Sequence, residues 1–568
     1  MLVKKFLSPS PKKIADKHLL PEETIAWVEE RLRSSAQGVF QELKRIDRGR
    51  LGIPVYISLY GAEGLSVTGR IKQMGKGATD ILARASALME LVERYSLFKT
   101  VKSGKFPLAT LKDTPEAISP EVLLSSVEDP DEDWAARTLA LKILPEVPFH
   151  LASALELPSQ REVKIPFFWF WLLYEFNGSA AGNTYAEAAV QATCELIERH
   201  ASALTTWTNG PFPAIKLDRI SEETKALLGC FERLGVRLYL RDFTFGLPVA
   251  TIGALAYDPS TFPHRSEIVY TAGTATSPER ALIRALTEVA QLAGDFDTDG
   301  KYLESGLPKF ATLEEAKVIT DYKGEIPLSA LPDLSASDHV EELKRLTEAL
   351  SSQGFHSYFV DLAVPELGVP AVYVVLTGAH FRERLFISPL YQLVRTVALY
   401  LPRQKALEIL KAIDHEIDRY YVALYLGQLL AEEGELNGAE EAFRKALKLD
   451  PPAEDLPAIY CHLAHVELKR GQFSRAEEAA EKGLALAEMA ELYNLLGTAR
   501  FKQRRIPEAL EAYLKALELN PEGAIDYANV GACLSALGLS KEAERFFESA
   551  KLLDPSLDVE AYRRAALS

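Results

Sequence analysis

The stretch EAAVQATCELIER, Glu187 to Arg199, gathers side chains suited to metal and phosphate on one side of a helix. At about 100° per residue, Glu187, Gln191, Glu195 and Glu198 fall within about 80° of one another, with Arg199 at the margin. Val190, Leu196 and Ile197 point the other way, onto a core. SALMELVER repeats the device, with Ser86, Glu90 and Glu93 at i, i+4 and i+7, Arg94 beside them, and Leu88, Leu91 and Val92 opposite. RALTEVAQ does so again, with Arg284, Glu288 and Gln291 over Leu282, Leu286 and Val289. Any one of these faces, taken alone, reads as a solvated helix side with local ion pairs. Three in one phase read differently. Converging glutamates repel and take up protons unless a cation neutralises them, and a divalent metal is the natural candidate. Carboxylates bind Mg2+ through hard oxygens, and guanidinium groups grip phosphate oxygens.

Three segments carry these faces: GKGATDILARASALMELVER from Gly75, GNTYAEAAVQATCELIER from Gly182 and AGTATSPERALIRALTEVAQ from Ala272. In order and spacing they resemble the three signature stretches of the YcaO family, and RIDRGRLGIPVY, Arg45 to Tyr56, resembles its opening segment. The likeness runs over residues 40 to 390. It implies an enzyme that uses ATP and Mg2+ to phosphorylate a peptide backbone amide oxygen, giving an azoline with a neighbouring Cys, Ser or Thr nucleophile or a thioamide with external sulfide. It further implies Glu90, Glu195, Glu198 and Glu288 as metal ligands. Ser86, Glu93, Arg94, Asn183, Glu187, Gln191, Arg199, Arg284 and Gln291 would line the nucleotide, with Lys76 placed to reach a phosphate. No catalytic residue is assigned. Azoline-forming members tend to end in a proline-rich tail that contributes to the active site, whereas this sequence runs on into helical repeats. Two other readings stand beside the enzyme: a nucleotide-sensing scaffold, and an accessory factor to another modifying system such as a methylthiolation enzyme.

The elements that must position these residues follow from the rest of the chain. Its 568 residues exceed one domain by the usual prior. A formal charge of −16, from 80 acids against 64 bases, argues against nucleic acid or anionic lipid as a partner. The four cysteines, Cys194, Cys230, Cys461 and Cys533, form no CxxC pair, and the histidines form no HxxxH or HExxH pair, so neither a zinc site nor a disulfide framework is indicated. Cys194, without a histidine to activate it, reads as packing, as does His200 on the apolar side of its helix. MLVKKFLSPSPKK lacks an apolar stretch long enough for a signal peptide. IPFFWFWLLYEF from Ile165 is too short to cross a bilayer and reads as a buried strand. A cytoplasmic protein is expected.

Residues 1–40 read as a peripheral segment. Gly61 to Gly77 reads as a glycine-spaced loop, and its GLSVTGRI is a near miss to a phosphate-binding P-loop, rejected because Arg70 and Ile71 stand where Lys and Ser or Thr are required. Strand and helix signals then alternate over 41–395, which predicts an α+β, α/β-like catalytic domain. A connecting helix at 396–414 leads to an all-α solenoid over 415–568. There Ala439, Ala476, Ala509 and Ala543 share one phase at spacings of 37, 33 and 34, the tetratricopeptide rhythm, and predict four helix pairs and a C-terminal cap. The repeats are expected to take a partner protein or a second copy, with Tyr460, Tyr493, Asn494, Tyr527 and Asn529 as groove candidates.

Overall fold

The computed structural model describes residues 1–208, 210–297, 302, 307–381 and 386–567. They form two compact units, Met1–Pro389 and Leu390–Ser568.

The first unit is built on three sheets. One joins β1 (Phe40–Arg45), β2 (Val55–Tyr60) and β3 (Lys72–Lys76) in that order, antiparallel throughout. The second contains β4 (Leu108–Thr110), β5 (Pro148–Leu157), β6 (Arg161–Pro166), β7 (Ser179–Ala181), β13 (His356–Asp361) and β14 (Ala371–Thr377), ordered β4-β5-β13-β14-β7 with β6 paired to β5. The third runs β11-β10-β9-β8-β12, where β8 is Phe212–Lys216, β9 Arg237–Asp242, β10 Ala250–Tyr257, β11 Val269–Ala275 and β12 Tyr322–Pro327. Among the strand pairs of the described residues only its β12–β8 pair is parallel, so the mixed α/β unit is of the α+β kind.

In chain order the helices that matter here are α1 (Pro21–Ser35), α2 (Ala62–Thr68), α3 (Asp80–Ser103), α4 (Phe167–Tyr174), α5 (Tyr185–Thr208), α6 (Pro278–Ala293) and α7 (His339–Ser352). Three of them repeat one construction, a strand, a short turn and a helix laid back on the sheet: β3 to α3, β7 to α5 and β11 to α6. A hydroxyl opens each helix. Thr79 accepts from the Leu82 N–H, Thr184 from the Glu187 N–H at 3.1 Å, and Ser277 from the Arg280 N–H. Glycine lets the helix lie flush. A Cβ at Gly75 would fall 2.1 Å from the Ala87 nitrogen, and one at Gly273 2.3 Å from the Ala285 nitrogen. The apolar backs of α3 and α6 are fully buried through Leu88, Leu91 and Val92 and through Leu282, Leu286 and Val289.

Three expectations are corrected. The aromatic run is not a strand: β6 stops at Pro166 and FFWFWLLY forms α4. Seven of its eight residues are buried, so the segment has no wet side to reveal its period, and a short apolar run cannot be assigned from pattern alone. Gly61 to Gly77 is not a loop. It holds α2, closed by Gly69 in the left-handed conformation at φ 65, and then β3. Finally, the first 40 residues are not peripheral, since Ser10 to Thr24 pack on α5 and α7. Lys12 and Glu342 form a buried ion pair at 2.8 Å, and Thr24 donates to Asn183 at 2.9 Å.

The second unit opens with helices Pro389–Tyr400 and Arg403–Glu416. Four helix pairs follow: α8 (Tyr420–Glu432) with α9 (Leu436–Lys448), α10 (Leu456–Lys469) with α11 (Phe473–Leu484), α12 (Ala490–Lys502) with α13 (Ile506–Leu519), and α14 (Ala524–Ala536) with α15 (Ser540–Leu553). Helix α16 (Val559–Leu567) caps the stack. In three pairs an aromatic ring of the second helix covers a glycine of the first: Phe443 on Gly427, Tyr513 on Gly497 and Phe547 on Gly531.

Candidate functional site

The wet faces of α3, α5 and α6 converge on a recess of about 370 Å3 in the first unit. All the residues singled out from the three segments line it: Lys76 from β3; Ser86, Glu90, Glu93 and Arg94 from α3; Asn183, Glu187, Gln191, Glu195, Glu198 and Arg199 from the turn before α5 and α5 itself; and Arg284, Glu288 and Gln291 from α6. Nothing in local sequence requires this. It follows from three sheets that each turn one amphipathic helix toward the same space.

Cations hold the carboxylates in place. Lys76 pairs with Glu288. Arg94 reaches Glu93 at 3.2 Å and Glu90 at 3.3 Å, while donating to the Phe176 carbonyl and the Ser179 hydroxyl. Arg199 lies 3.7 Å from Glu198 and 4.0 Å from Glu195. Backbone N–H groups add to this: Gly178 donates to Glu195 at 3.2 Å and Thr274 to Glu198 at 3.0 Å. Arg284 donates to the Thr274 carbonyl and to the Gln191 side chain.

The balance of charge still favours the acids. Burial, followed by the neighbouring Glu90 and Glu195, raises the Glu93 pKa despite Arg94. Burial likewise raises that of Glu195, with Arg94 and Arg199 opposing and Glu90 and Glu198 reinforcing it. Burial pulls the Lys76 ammonium down to about 8, against the attraction of Glu198 and Glu90. Eight carboxylates and six cationic side chains line the recess, an excess that a bound divalent cation would neutralise. Hard oxygen donors beside arginines and amides are the donor set for a magnesium-bound polyphosphate, so the residues present fit that group. Among the described residues, no three His, Cys, Asp or Glu side chains are gathered as a metal cluster; each of Glu90, Glu195, Glu198 and Glu288 is engaged with a cation instead.

One wall of the recess escaped the sequence reading. Asp16, Lys17, Leu19, Pro21 and Thr24 line it. The His18 N–H donates to Glu187 at 3.0 Å, Lys17 lies 3.7 Å from Glu187, and Asp16 lies 3.8 Å from Arg284. Although burial opposes it, Lys17, Arg284 and Arg280 hold the Asp16 carboxyl well below the usual carboxylate range. ADKHLLPEET carries no periodic signal for these contacts, whose partners lie more than 150 residues away. Cys194 and His200 are buried, in keeping with a packing role. Burial pushes the Cys194 thiol up to about 12, and burial with His380 holds His200 down to about 4, where its Nδ1 accepts the His380 N–H.

Both units resemble known proteins. Residues 74–380 match the family model described as YcaO cyclodehydratase, ATP- and Mg2+-binding, and residues 424–452 and 490–522 match tetratricopeptide repeats. An uncharacterised protein of Methanothermobacter thermautotrophicus is 28% identical over 385 residues, 63% of this chain and 93% of that protein. The ribosomal protein S12 methylthiotransferase accessory factor YcaO of Escherichia coli is 27% identical over 251 residues, 40% of this chain and 41% of that one. Among solved structures, a heterocyclase in complex with substrate and cofactor shares the fold with a TM-score of 0.54 at 23% identity, over 70% of this chain and 58% of the heterocyclase.

Proposed function

The chain belongs to the YcaO family, and on that premise we propose that it activates a peptide backbone amide by ATP-dependent phosphorylation of the amide oxygen, yielding an azoline or a thioamide. The observation that carries this reading is the convergence of three acid-and-arginine helix faces on one recess. When bound, ATP supplies the phosphoryl group that makes the amide oxygen a leaving group, and Mg2+ offsets the charge on the phosphates.

The residues divide the work by chemistry. Glu90, Glu195, Glu198 and Glu288 would hold the metal through their carboxylate oxygens. Arg94, Arg199, Arg284 and Lys76 face phosphate oxygens. Ser86, Glu93, Asn183, Glu187, Gln191 and Gln291 line the nucleotide, joined by Lys17 and Thr24. The nucleophile gives up a proton and adds to the amide carbon, the carbonyl oxygen takes the γ-phosphoryl group as ADP departs, and cleavage of the C–O bond releases phosphate. With a Cys, Ser or Thr side chain the amide nitrogen then loses its proton and the ring closes with a C=N bond; with sulfide the N–H is kept and the proton on sulfur is lost, leaving a C=S bond. The repeats recruit the peptide or a protein that carries it.

The test is to incubate the protein, ATP and Mg2+ with a pool of Cys-, Ser- and Thr-containing peptides bearing heavy oxygen in their backbone carbonyls, with and without sulfide. Heavy oxygen in the released phosphate supports the reading; a modified peptide whose label stays out of phosphate overturns it. The likeness to the E. coli accessory factor favours a second reading, in which the nucleotide site serves a partner enzyme recruited by the repeats. Copurification with a ribosomal protein, without any change in peptide mass, would select that one.

A further inference from the structure

The second unit holds a groove of its own, about 610 Å3, between α10, α12 and α14. Its floor is apolar, formed by Ala490, Leu495, Ala524 and Ile525. Ile525 leaves 52% of its surface exposed, open to an apolar ligand group. Among the described residues its charged lining is all of one sign: Glu491, Asp526 and Asp554 contribute carboxylates, and no lysine or arginine lines the groove. Asp526 is buried, which raises its carboxyl; Asn494 donates to it and opposes the shift, whereas Glu491 adds to it by repulsion. The two histidines of the lining, His462 and His465, are displaced toward their neutral forms, chiefly by burial, so they do not offset the acids.

An apolar floor beside carboxylates, with no lysine or arginine in the described lining, is complementary to a segment in which a cationic side chain neighbours an apolar one. We propose that this groove docks a basic–apolar peptide segment of a partner protein, with a Leu- or Ile-like side chain over Ile525 and Leu495 and a lysine or arginine toward Glu491 and Asp526. The apolar contact supplies affinity, and the matched charges supply selectivity and on-rate. The inference is independent of the amide chemistry proposed above.

The experiment uses the full chain and a fluorescein-labelled synthetic peptide of alternating lysine and leucine, with a counterpart carrying glutamate for every lysine. Fluorescence anisotropy is expected to show the lysine peptide binding at least about tenfold tighter, an advantage that shrinks as salt is raised. Because the whole protein is acidic, two charge reversals separate groove from surface. Glu491→Lys is expected to weaken the lysine peptide about tenfold, while Glu548→Lys, an exposed acid outside the groove, leaves it within about twofold. Ile525→Asp should also weaken it, through the floor. Circular dichroism and Mg2+-ATP binding of the Glu491→Lys protein are expected to be unchanged; should that variant misfold, Glu491→Gln carries the same comparison with a smaller loss. Equal binding of the two peptides, no binding of either, or equal effects of Glu491→Lys and Glu548→Lys would each overturn the proposal. So would sedimentation showing that Glu491→Lys dissociates a dimer of this chain that binds neither peptide, which would assign the groove to a second copy.

Discussion

Glu93 and Glu195 are carboxylates crowded by other carboxylates, and that crowding is the physical content of the site. On the proposed assignment of Glu198 to the metal, removing its charge takes away one hard oxygen donor while preserving the shape that accepts the Thr274 N–H. Glu198→Gln is therefore expected to cost about 2–5 kcal/mol of Mg2+-ATP binding with an unchanged far-ultraviolet dichroism spectrum, as is Arg199→Ala for the phosphate contact. Thr24→Val tests the wall contributed by the N-terminal segment. Loss of its hydroxyl frees Asn183, and nucleotide affinity is expected to drop by about threefold to tenfold, read by calorimetry. An unaltered affinity would show that Thr24 only braces the turn. At this scale the sequence was informative where residues share a helix: Glu187, Gln191, Glu195 and Glu198 announce one face because the period of the helix is fixed. Lys17 and Thr24 announce nothing, because their neighbours in space are set by how the whole unit folds.

At the level of elements, the three strand–turn–helix units depend on how closely each helix approaches its strand. Gly273 has no room for a methyl group against Ala285, so Gly273→Ala is expected to destabilise the protein by about 1–3 kcal/mol and to weaken nucleotide binding by displacing α6, measured by urea unfolding and calorimetry on the same sample. In the repeats, His462 is expected to make stability depend on pH. His462 stacks on Phe443 with ring centroids 5.5 Å apart, its Nε2 lies 2.9 Å from Gln428, and burial with His465 lowers its pKa from 6.5. The folded form thus favours neutral imidazole, while the unfolded chain takes up a proton near the ordinary value. Its contribution is complete above 6.5 and is lost as pH falls below it, so the repeats are expected to melt at lower temperature at pH 5 than at pH 7.5. His462→Gln should flatten that dependence; an identical pH profile in the variant would remove His462 as the cause. Two elements misled the reading, each for its own physical reason. FFWFWLLY is buried nearly all round, so hydrophobicity carries no periodicity, and α2 is short enough that its bounding glycines looked like a loop. The repeat helices were legible because Ala439, Ala476, Ala509 and Ala543 must be small at the same point of every pair.

For the whole molecule, the division at Pro389 and Leu390 separates two kinds of chemistry. Every residue lining the recess proposed to hold the nucleotide lies between Asp16 and Gln291, and every residue lining the acidic groove lies between Cys461 and Asp554. A chain ending before Leu390 is accordingly expected to keep Mg2+-ATP affinity within about twofold while losing capture of the lysine–leucine peptide. Loss of both would show that the first unit needs the second in order to fold or to complete its site. The measurement that bears most directly on the central claim is calorimetric titration of the full protein with ATP, with and without Mg2+, alongside Glu198→Gln. Binding that requires Mg2+ and disappears in the variant is the expected result. Binding that is indifferent to Mg2+, or fully retained by Glu198→Gln, would contradict the assignment of the converging helix faces as the metal–nucleotide site.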